Sequence, residues 1–218
     1  MRYYTRLTIV ILFSIAMAYC ESAVVVYLRG WLLPDGGQWN LSSFPLRVVF
    51  TEMGREAGTM VMLVAIGFVA GRSRWDRVGY FLISFGTWDL FYYIWLKVLI
   101  GWPESLFTPD VLFLIPKPWV GYVIEPCAVS LLMVIFGIAV TQRIDSGRVF
   151  VSAKLSWALI VIGSISLLAG FISYRTVNGI PISEAGPWRS LLIGIALVSY
   201  VVAFFLSLRK SNAAVNRH

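Results

Sequence analysis

The sequence predicts an all-α, polytopic integral membrane protein with six transmembrane helices and a short interfacial or re-entrant segment between helices 3 and 4. Of its 218 residues, 59% are apolar and only 13% are charged, against roughly 25% charged residues in soluble domains. Six apolar runs reach the roughly 20 residues that a spanning helix needs. Basic residues concentrate in every second connecting segment, as the positive-inside rule requires. Because no soluble segment of useful size remains, residues 1–218 are predicted to form one transmembrane helical domain.

The first predicted span covers about 7–28 and carries an acidic residue, Glu21, within its apolar run. Small residues at Ala16 and Ala18 resemble a signal-peptidase site. The apolar run continues well past them, farther than the core of a signal peptide does. This length favours a retained helix over cleavage after residue 18.

The second predicted span, about 48–71, has an unusual distribution of charge. Its first turns carry three charged residues and a threonine that share one helical face: Glu52, Arg55, Glu56 and Thr59. Charges inside a membrane are costly, so this face should meet protein or a water-filled cavity. The opposite face carries Gly54 and Gly58, at a spacing that lets a second helix approach closely. We therefore predict a polar site on one face and a helix-packing surface on the other.

The third predicted span, about 78–102, places Asp89 within reach of Tyr92 and Tyr93 at helical spacing. The residues that follow, 103–119, contain four prolines around a short apolar stretch. That stretch is too short to cross a bilayer. We predict that this segment packs over the outer ends of spans 2–4.

The remaining predicted spans cover about 120–142, 151–174 and 188–208, and Glu125 lies in the first turns of the fourth. Spans 5 and 6 carry almost no charge, so we expect them to be scaffold or a surface for a protein partner. Small residues in these two spans predict further helix-packing surfaces: Ser166, Gly170, Ser190 and Gly194.

The distribution of basic residues predicts that both termini are cytoplasmic. In that orientation the inner segments hold eleven basic residues and the outer segments five. The inner residues are Arg2, Arg6, Arg72, Arg74, Arg77, Arg143, Arg148, Lys154, Arg209, Lys210 and Arg217, and the outer ones are Arg29, Arg47, Lys117, Arg175 and Arg189. Contacts of these residues with the anionic head groups of the lipid bilayer explain the net charge of +7, so no nucleic-acid partner is expected. The general pattern suggests a bacterial inner (plasma) membrane.

Five carboxylates from four helices fall in the outer half of the membrane when each is placed by its depth along its helix: Glu21, Glu52, Glu56, Asp89 and Glu125. Arg55 is the cation embedded among them, and Lys97 is a second one nearer the surface. Such an excess of ionised acids would be strongly unfavourable in a dry site. Protons, a bound cation or water from outside must therefore compensate.

These residues lead us to predict one connected site that binds a small solute or cation. Glu52, Arg55, Glu56 and Asp89 would form it, with Glu21 at its edge. The full set of predicted binding residues is Glu21, Glu52, Arg55, Glu56, Asp89, Tyr92, Tyr93 and Glu125. The alternative is that the polar residues only join helices to one another.

The residue inventory restricts the cofactors. His218 is the only histidine, so no internal haem or His-ligated zinc is expected. Oxygen ligands favour Mg²⁺, Ca²⁺ or Mn²⁺, and a metal, if one binds, would be held by Glu52, Glu56 and Asp89. No nucleotide-binding or serine-hydrolase motif occurs, and the two cysteines form no metal or redox motif.

Three functions remain open on the sequence alone. The leading prediction is a membrane binding or transport protein, with or without proton coupling, whose buried carboxylate–Arg site opens to the outer side. A membrane-embedded enzyme acting on a lipid, a quinone or another outer-leaflet substrate is an alternative, because paired acids can serve as general acid and base. A non-catalytic subunit of a larger membrane complex is the third, which the small size and the apolar spans 5 and 6 fit.

Overall fold

The computed structural model describes residues 2–32, 45–115, 117–173, 176–177, 180–181 and 187–215. Within these ranges the chain forms six helices: α1 Tyr3–Leu32, α2 Leu46–Ala70, α3 Arg74–Ile100, α4 Ile124–Asp145, α5 Lys154–Ile172 and α6 Pro187–Val215. All except α3 are long and apolar enough to cross a membrane. The predictions of an all-α fold and of a membrane protein are confirmed at this level.

The exception, α3, is the central helix of the bundle. It packs against α1, α2 and α4, whereas α1 and α2 touch each other little. Its acidic residues Asp76 and Asp89 are both buried, so these charges meet protein and not lipid. Burial against neighbouring helices therefore accommodates the acidic residues of a helix that is not among the five most apolar ones.

The segment between α3 and α4 folds as an antiparallel β-hairpin, which the sequence analysis did not predict. Strand β1, Pro109–Phe113, pairs with β2, Trp119–Tyr122, in a register that sets Asp110 opposite Gly121. Proline is tolerated at the first position of a strand, and the apolar stretch that is too short for a span becomes most of β1. A second ribbon, β3 Thr176–Val177 with β4 Ile180–Pro181, lies between α5 and α6.

Close packing of α3 on α4 depends on glycines that the sequence analysis did not single out. A Cβ atom added to Gly137 of α4 would lie 2.6 Å from the carbonyl oxygen of Gly79 in α3. One added to Gly86 would lie 2.8 Å from Cγ2 of Val134 and would also collide with the carbonyl oxygen of Ser130. The two backbones therefore touch along this line, which we call the α3–α4 glycine contact (Gly79, Gly86, Gly137).

The prediction of a helix-packing surface at Gly54 and Gly58 is wrong within the described residues. Both glycines are exposed, and a Cβ atom added to either would meet nothing within 4 Å. The reason is geometric, because burying the polar face of α2 turns the opposite face outward. Among the small residues of spans 5 and 6, Gly170 does pack against Ile193 of α6, whereas a Cβ atom added to Gly194 would meet nothing within 4 Å.

The different environments of Gly86 and Gly54 predict opposite effects of a glycine-to-alanine substitution. Gly86→Ala should lower the free energy of unfolding by roughly 1–3 kcal/mol, because overpacking forces backbone shifts. Gly54→Ala should be neutral or stabilise by up to about 1 kcal/mol, because an exposed helical glycine gains from alanine. Thermal melting of both variants in detergent measures the difference, and equal melting temperatures would contradict the described packing.

Arg6 also has a different role from the one predicted. Its Nη1 lies 2.9 Å from the carbonyl oxygen of Ala70 and 3.3 Å from Asp76, and its Nη2 lies 3.2 Å from Asp145. With 7% of its side chain exposed, it joins α1, the α2–α3 turn and the end of α4. The residue expected to face lipid heads is thus a buried link at the end of the bundle opposite the hairpin.

Candidate functional site

A cavity of about 190 Å³ occupies the half of the bundle that holds the β1–β2 hairpin. Because neighbouring helices run antiparallel, its walls come from the later parts of α1, α3 and α5 and from the beginnings of α2 and α4, and the hairpin supplies one side. Most of the lining is apolar. The exceptions are five acids, one arginine, two hydroxyl residues, two tyrosines and two tryptophans: Glu21, Glu52, Glu56, Asp89, Asp110, Arg55, Thr59, Ser130, Tyr92, Tyr93, Trp88 and Trp119.

Arg55 connects two of the acids. Its Nε donates to Glu52 over 2.9 Å, Nη2 lies 2.8 Å from the same carboxylate, and Nη1 forms an ion pair with Glu21 of α1. Thr59, one turn farther along α2, donates to the other oxygen of Glu21 over 2.6 Å. Glu21, predicted at the edge of the site, therefore lies at the centre of its ionic network.

Glu56 links α2 to the hairpin. Both of its carboxylate oxygens lie 3.0 Å from the backbone N–H of Leu114, which follows β1 directly. The hairpin is also tied to α3 through Tyr93, and β2 packs against α4 and α5. The segment between α3 and α4 therefore covers the cavity, and an acid of the predicted site holds it there.

Asp89 lines the same cavity but stands apart from the ionic network. It accepts a 2.7 Å hydrogen bond from Ser130 of α4, beside the α3–α4 glycine contact. Among the described residues, no arginine or lysine forms an ion pair with it. The structure thus brings Asp89 into the predicted site without a described hydrogen bond or ion pair to Glu52, Arg55 or Glu56.

The acids do not form a metal centre in the described part of the chain. Among these residues no three histidine, cysteine, aspartate or glutamate side chains are grouped closely enough to hold an ion. In particular, Glu52 and Glu56 are engaged by Arg55 and by the hairpin backbone, while Asp89 is engaged by Ser130. The ligand set suggested by the sequence, Glu52 with Glu56 and Asp89, is therefore not assembled.

Asp110 is a site residue that the sequence analysis missed. It lies in β1, outside the six helices, and accepts a 3.1 Å hydrogen bond from the Tyr93 hydroxyl. Burial raises the pKa of Asp110 to about 6, although the positive charge of Arg29 acts in the opposite direction. An aspartate among prolines typically indicates a surface turn. Only the hairpin, which folds this residue back onto α3, reveals it.

Glu125, predicted as a binding residue, does not line the cavity. Its carboxylate pairs with Arg189 of α6, whose Nη1 lies 2.7 Å from Oε1, and it also accepts the backbone N–H of Tyr122 at 3.0 Å. Arg189 has 1% of its side chain exposed and donates a further hydrogen bond to the carbonyl of Val120 over 3.2 Å. We call this pair the α4–α6 ion pair (Glu125–Arg189). It holds α6 against α4 and the hairpin.

Lys97, predicted as a second cation of the site, also lies elsewhere. Its Nζ donates to the backbone carbonyls of Gly101 and Pro103, at 3.0 and 2.8 Å, where α3 ends. A lysine in the last turn of a helix commonly satisfies such carbonyls. Arg55 is therefore the cation that lines the cavity among the described residues.

Aromatic rings form a continuous wall along α3. Ring centroids are separated by 5.5 Å between Phe85 and Trp88, by 6.4 Å between Trp88 and Tyr92, and by 5.1 Å between Tyr92 and Tyr93. Trp88 is 7% exposed, and its indole N–H has no hydrogen-bond acceptor among the described residues. The cavity thus combines carboxylates with an aromatic surface.

The fold and the site define a helical membrane protein with a polar, aromatic-lined cavity in one half of its bundle. No protein-family model, no curated protein and no solved structure matches the chain. The residues of the cavity are therefore the basis for a proposed function.

Proposed function

We propose that the protein binds a small solute in this cavity, from the outer side of a bacterial inner membrane, as a binding or transport protein. The observation that carries the proposal is one cavity that brings together Arg55, Glu21, Glu52, Glu56 and Asp89 beneath the hairpin. Polar residues that only joined helices would need no space between them. Binding pockets typically combine a largely apolar lining with a few convergent polar groups, as this cavity does.

The proposed orientation has six spans with both termini cytoplasmic, so that the hairpin faces outward. The distribution of basic residues supports this orientation even when the residues that the structure buries are left out of the count. Arg6 and Arg189 are buried in ion pairs and do not face lipid. Leaving them out, ten inner and four outer basic residues remain, and the positive-inside rule still favours this orientation.

The floor of the cavity bears on the choice between transport and other functions. Trp88 rests on an apolar cluster with Met17, Ala18 and Leu63, and a second cluster of Val10, Tyr80 and Ile83 lies in the same bundle. Tyr80, Ile83 and Leu63 are each 0% exposed. Transport would therefore require the two apolar clusters to separate. In transporters that work by alternating access, one part of the helix bundle moves against the other to open such a path.

A membrane enzyme acting on an outer-leaflet substrate is the second candidate, and the closed floor is the observation that favours it. A catalytic cavity needs access from one side only. Pairs of carboxylates can act as general acid and base. Turnover of a lipid or quinone substrate that depends on Asp89 and Glu56 would identify this function.

Binding can be tested with a panel of small amines, carboxylates and neutral aromatic compounds added to the purified protein in lipid nanodiscs. At least one chemical class should raise the melting temperature of the wild type, because a ligand that binds only the folded state stabilises it. Val129→Trp, which fills the cavity, should abolish the shift. Leu131→Trp, two residues farther along α4 and 52% exposed, should retain it. No shift with any class, or a shift that survives Val129→Trp, would contradict the proposal.

A further inference from the structure

We propose that the ligand is a small organic cation: an ammonium group carried on an apolar or aromatic body, with its charge beside Asp89 and its body against the ring wall of α3. This inference rests on the proposed binding function and names the ligand class of the same cavity. Three features of the cavity lead to it, namely its charge balance, its aromatic wall and its size.

The charge balance of the cavity is negative. Five carboxylates line it together with one arginine, Arg55, which is shared between Glu21 and Glu52. Arg29, outside the lining, compensates part of the charge of Asp110, which leaves Glu56 and Asp89 in excess. Glu56 is stabilised by a backbone N–H of the hairpin, which carries no full charge. A buried carboxylate without a counter-charge is costly. A cationic ligand would compensate this excess, whereas an anionic one would increase it.

Asp89 is the acid best placed to receive that cation. Its described partner is the hydroxyl of Ser130, which holds one carboxylate oxygen in place. Asp89, Trp88 and Tyr92 all line the cavity, and Tyr92 follows Asp89 by three residues on the same helical face. An ammonium group beside Asp89 would therefore share the cavity with two electron-rich rings.

The aromatic wall favours an organic cation over a metal ion. Cations are attracted to the faces of Trp and Tyr rings within about 6 Å, and quaternary ammonium groups are commonly bound in this way. A divalent metal needs several oxygen ligands around one point, and among the described residues no such group exists.

The size of the cavity limits the body of the ligand. About 190 Å³ is below the roughly 300–1,000 Å³ of pockets for drug-sized molecules. The cavity therefore suits a single ring or a short branched chain on the ammonium group. Benzyltrimethylammonium is a probe of this kind, and it has close analogues of different charge.

The test is a calorimetric titration of full-length protein in nanodiscs with three probes: benzyltrimethylammonium, its neutral carbon analogue neopentylbenzene, and the anion benzenesulfonate. We expect the cation to bind and the other two to bind at least tenfold more weakly. Asp89→Asn, which retains an oxygen acceptor for Ser130, should weaken binding of the cation at least tenfold, or about 1.4 kcal/mol. Glu104→Gln, at an exposed acid outside the cavity, should leave it unchanged.

The outcomes separate this inference from the proposed function. Equal or tighter binding of the neutral or anionic probe would overturn the ligand class and leave a binding cavity in place. An unchanged affinity in a folded Asp89→Asn variant would also overturn it. If Asp89→Asn does not fold, the charge series on the wild type decides alone. Failure of all three probes, together with no thermal shift from the wider panel, would overturn both proposals.

Discussion

Replacing Arg189 with alanine should lower the free energy of unfolding by roughly 3–5 kcal/mol, which is the usual cost of breaking a buried ion pair by removing one partner. The guanidinium is 1% exposed, and its loss would leave the carboxylate of Glu125 buried without its counter-charge. Two of its hydrogen bonds, to Glu125 and to the carbonyl of Val120, would be lost together. Thermal or denaturant unfolding in detergent measures the effect.

A double variant tests whether the α4–α6 ion pair causes this loss. Glu125→Gln combined with Arg189→Met removes both charges at similar volume, and such replacements of buried pairs are often close to neutral. We therefore expect it to recover most of the stability lost in Arg189→Ala. Arg47→Ala, at an exposed arginine in the first turn of α2, should melt like the wild type. A stable Arg189→Ala variant would contradict the described ion pair.

Replacing Arg55 with alanine should destabilise the protein, whereas replacing Glu56 with glutamine should do so much less. Without Arg55, both Glu21 and Glu52 lose their cation, and Glu21 is only 7% exposed. Arg55 itself is 24% exposed, so we expect a loss toward the lower end of the roughly 3–5 kcal/mol seen for buried pairs. Water at the opening reduces the electrostatic cost there.

Glu56→Gln removes a negative charge from the same cavity, whereas Arg55→Ala removes a positive one. The amide oxygen of glutamine can still accept the N–H of Leu114, and one surplus negative charge is removed. Folding should therefore be nearly normal, while ligand binding or transport weakens if the carboxylate takes part in it. Melting temperatures of the two variants, measured side by side, test the contrast. If Arg55→Ala melts like the wild type, the polar residues do not form the ionic network described here.

Much of the fold follows from patterns along the chain. The apolar runs predict helices in the regions where α1 to α6 lie, because a run of roughly 20 predominantly apolar residues is typical of a helix long enough to cross a membrane. The polar face of α2 could also be predicted, since Glu56 and Thr59 at helical spacing must turn inward. These are local properties of single helices, and they do not depend on which elements become neighbours.

The features that were missed all depend on tertiary pairing. Arg189 has the appearance of a basic residue that flanks a span, and only its meeting with Glu125, 64 positions away, makes it a buried partner. Asp110 reaches the cavity only because the segment between α3 and α4 forms a hairpin. Gly54 and Gly86 cannot be distinguished by residue type. The first lies on the outward face of α2 and the second against α4.

Cysteine accessibility tests the central claim, a polar cavity that opens to the outer side of the membrane. In a background with Cys20 and Cys127 replaced by serine, Val129→Cys would line the cavity, whereas Leu131→Cys would lie on the exposed face of α4. A small, charged, membrane-impermeant thiol reagent added to intact cells should label Val129→Cys and leave Leu131→Cys unlabelled. Labelling of Val129→Cys only after permeabilisation, or no labelling at all, would contradict the cavity and its proposed orientation.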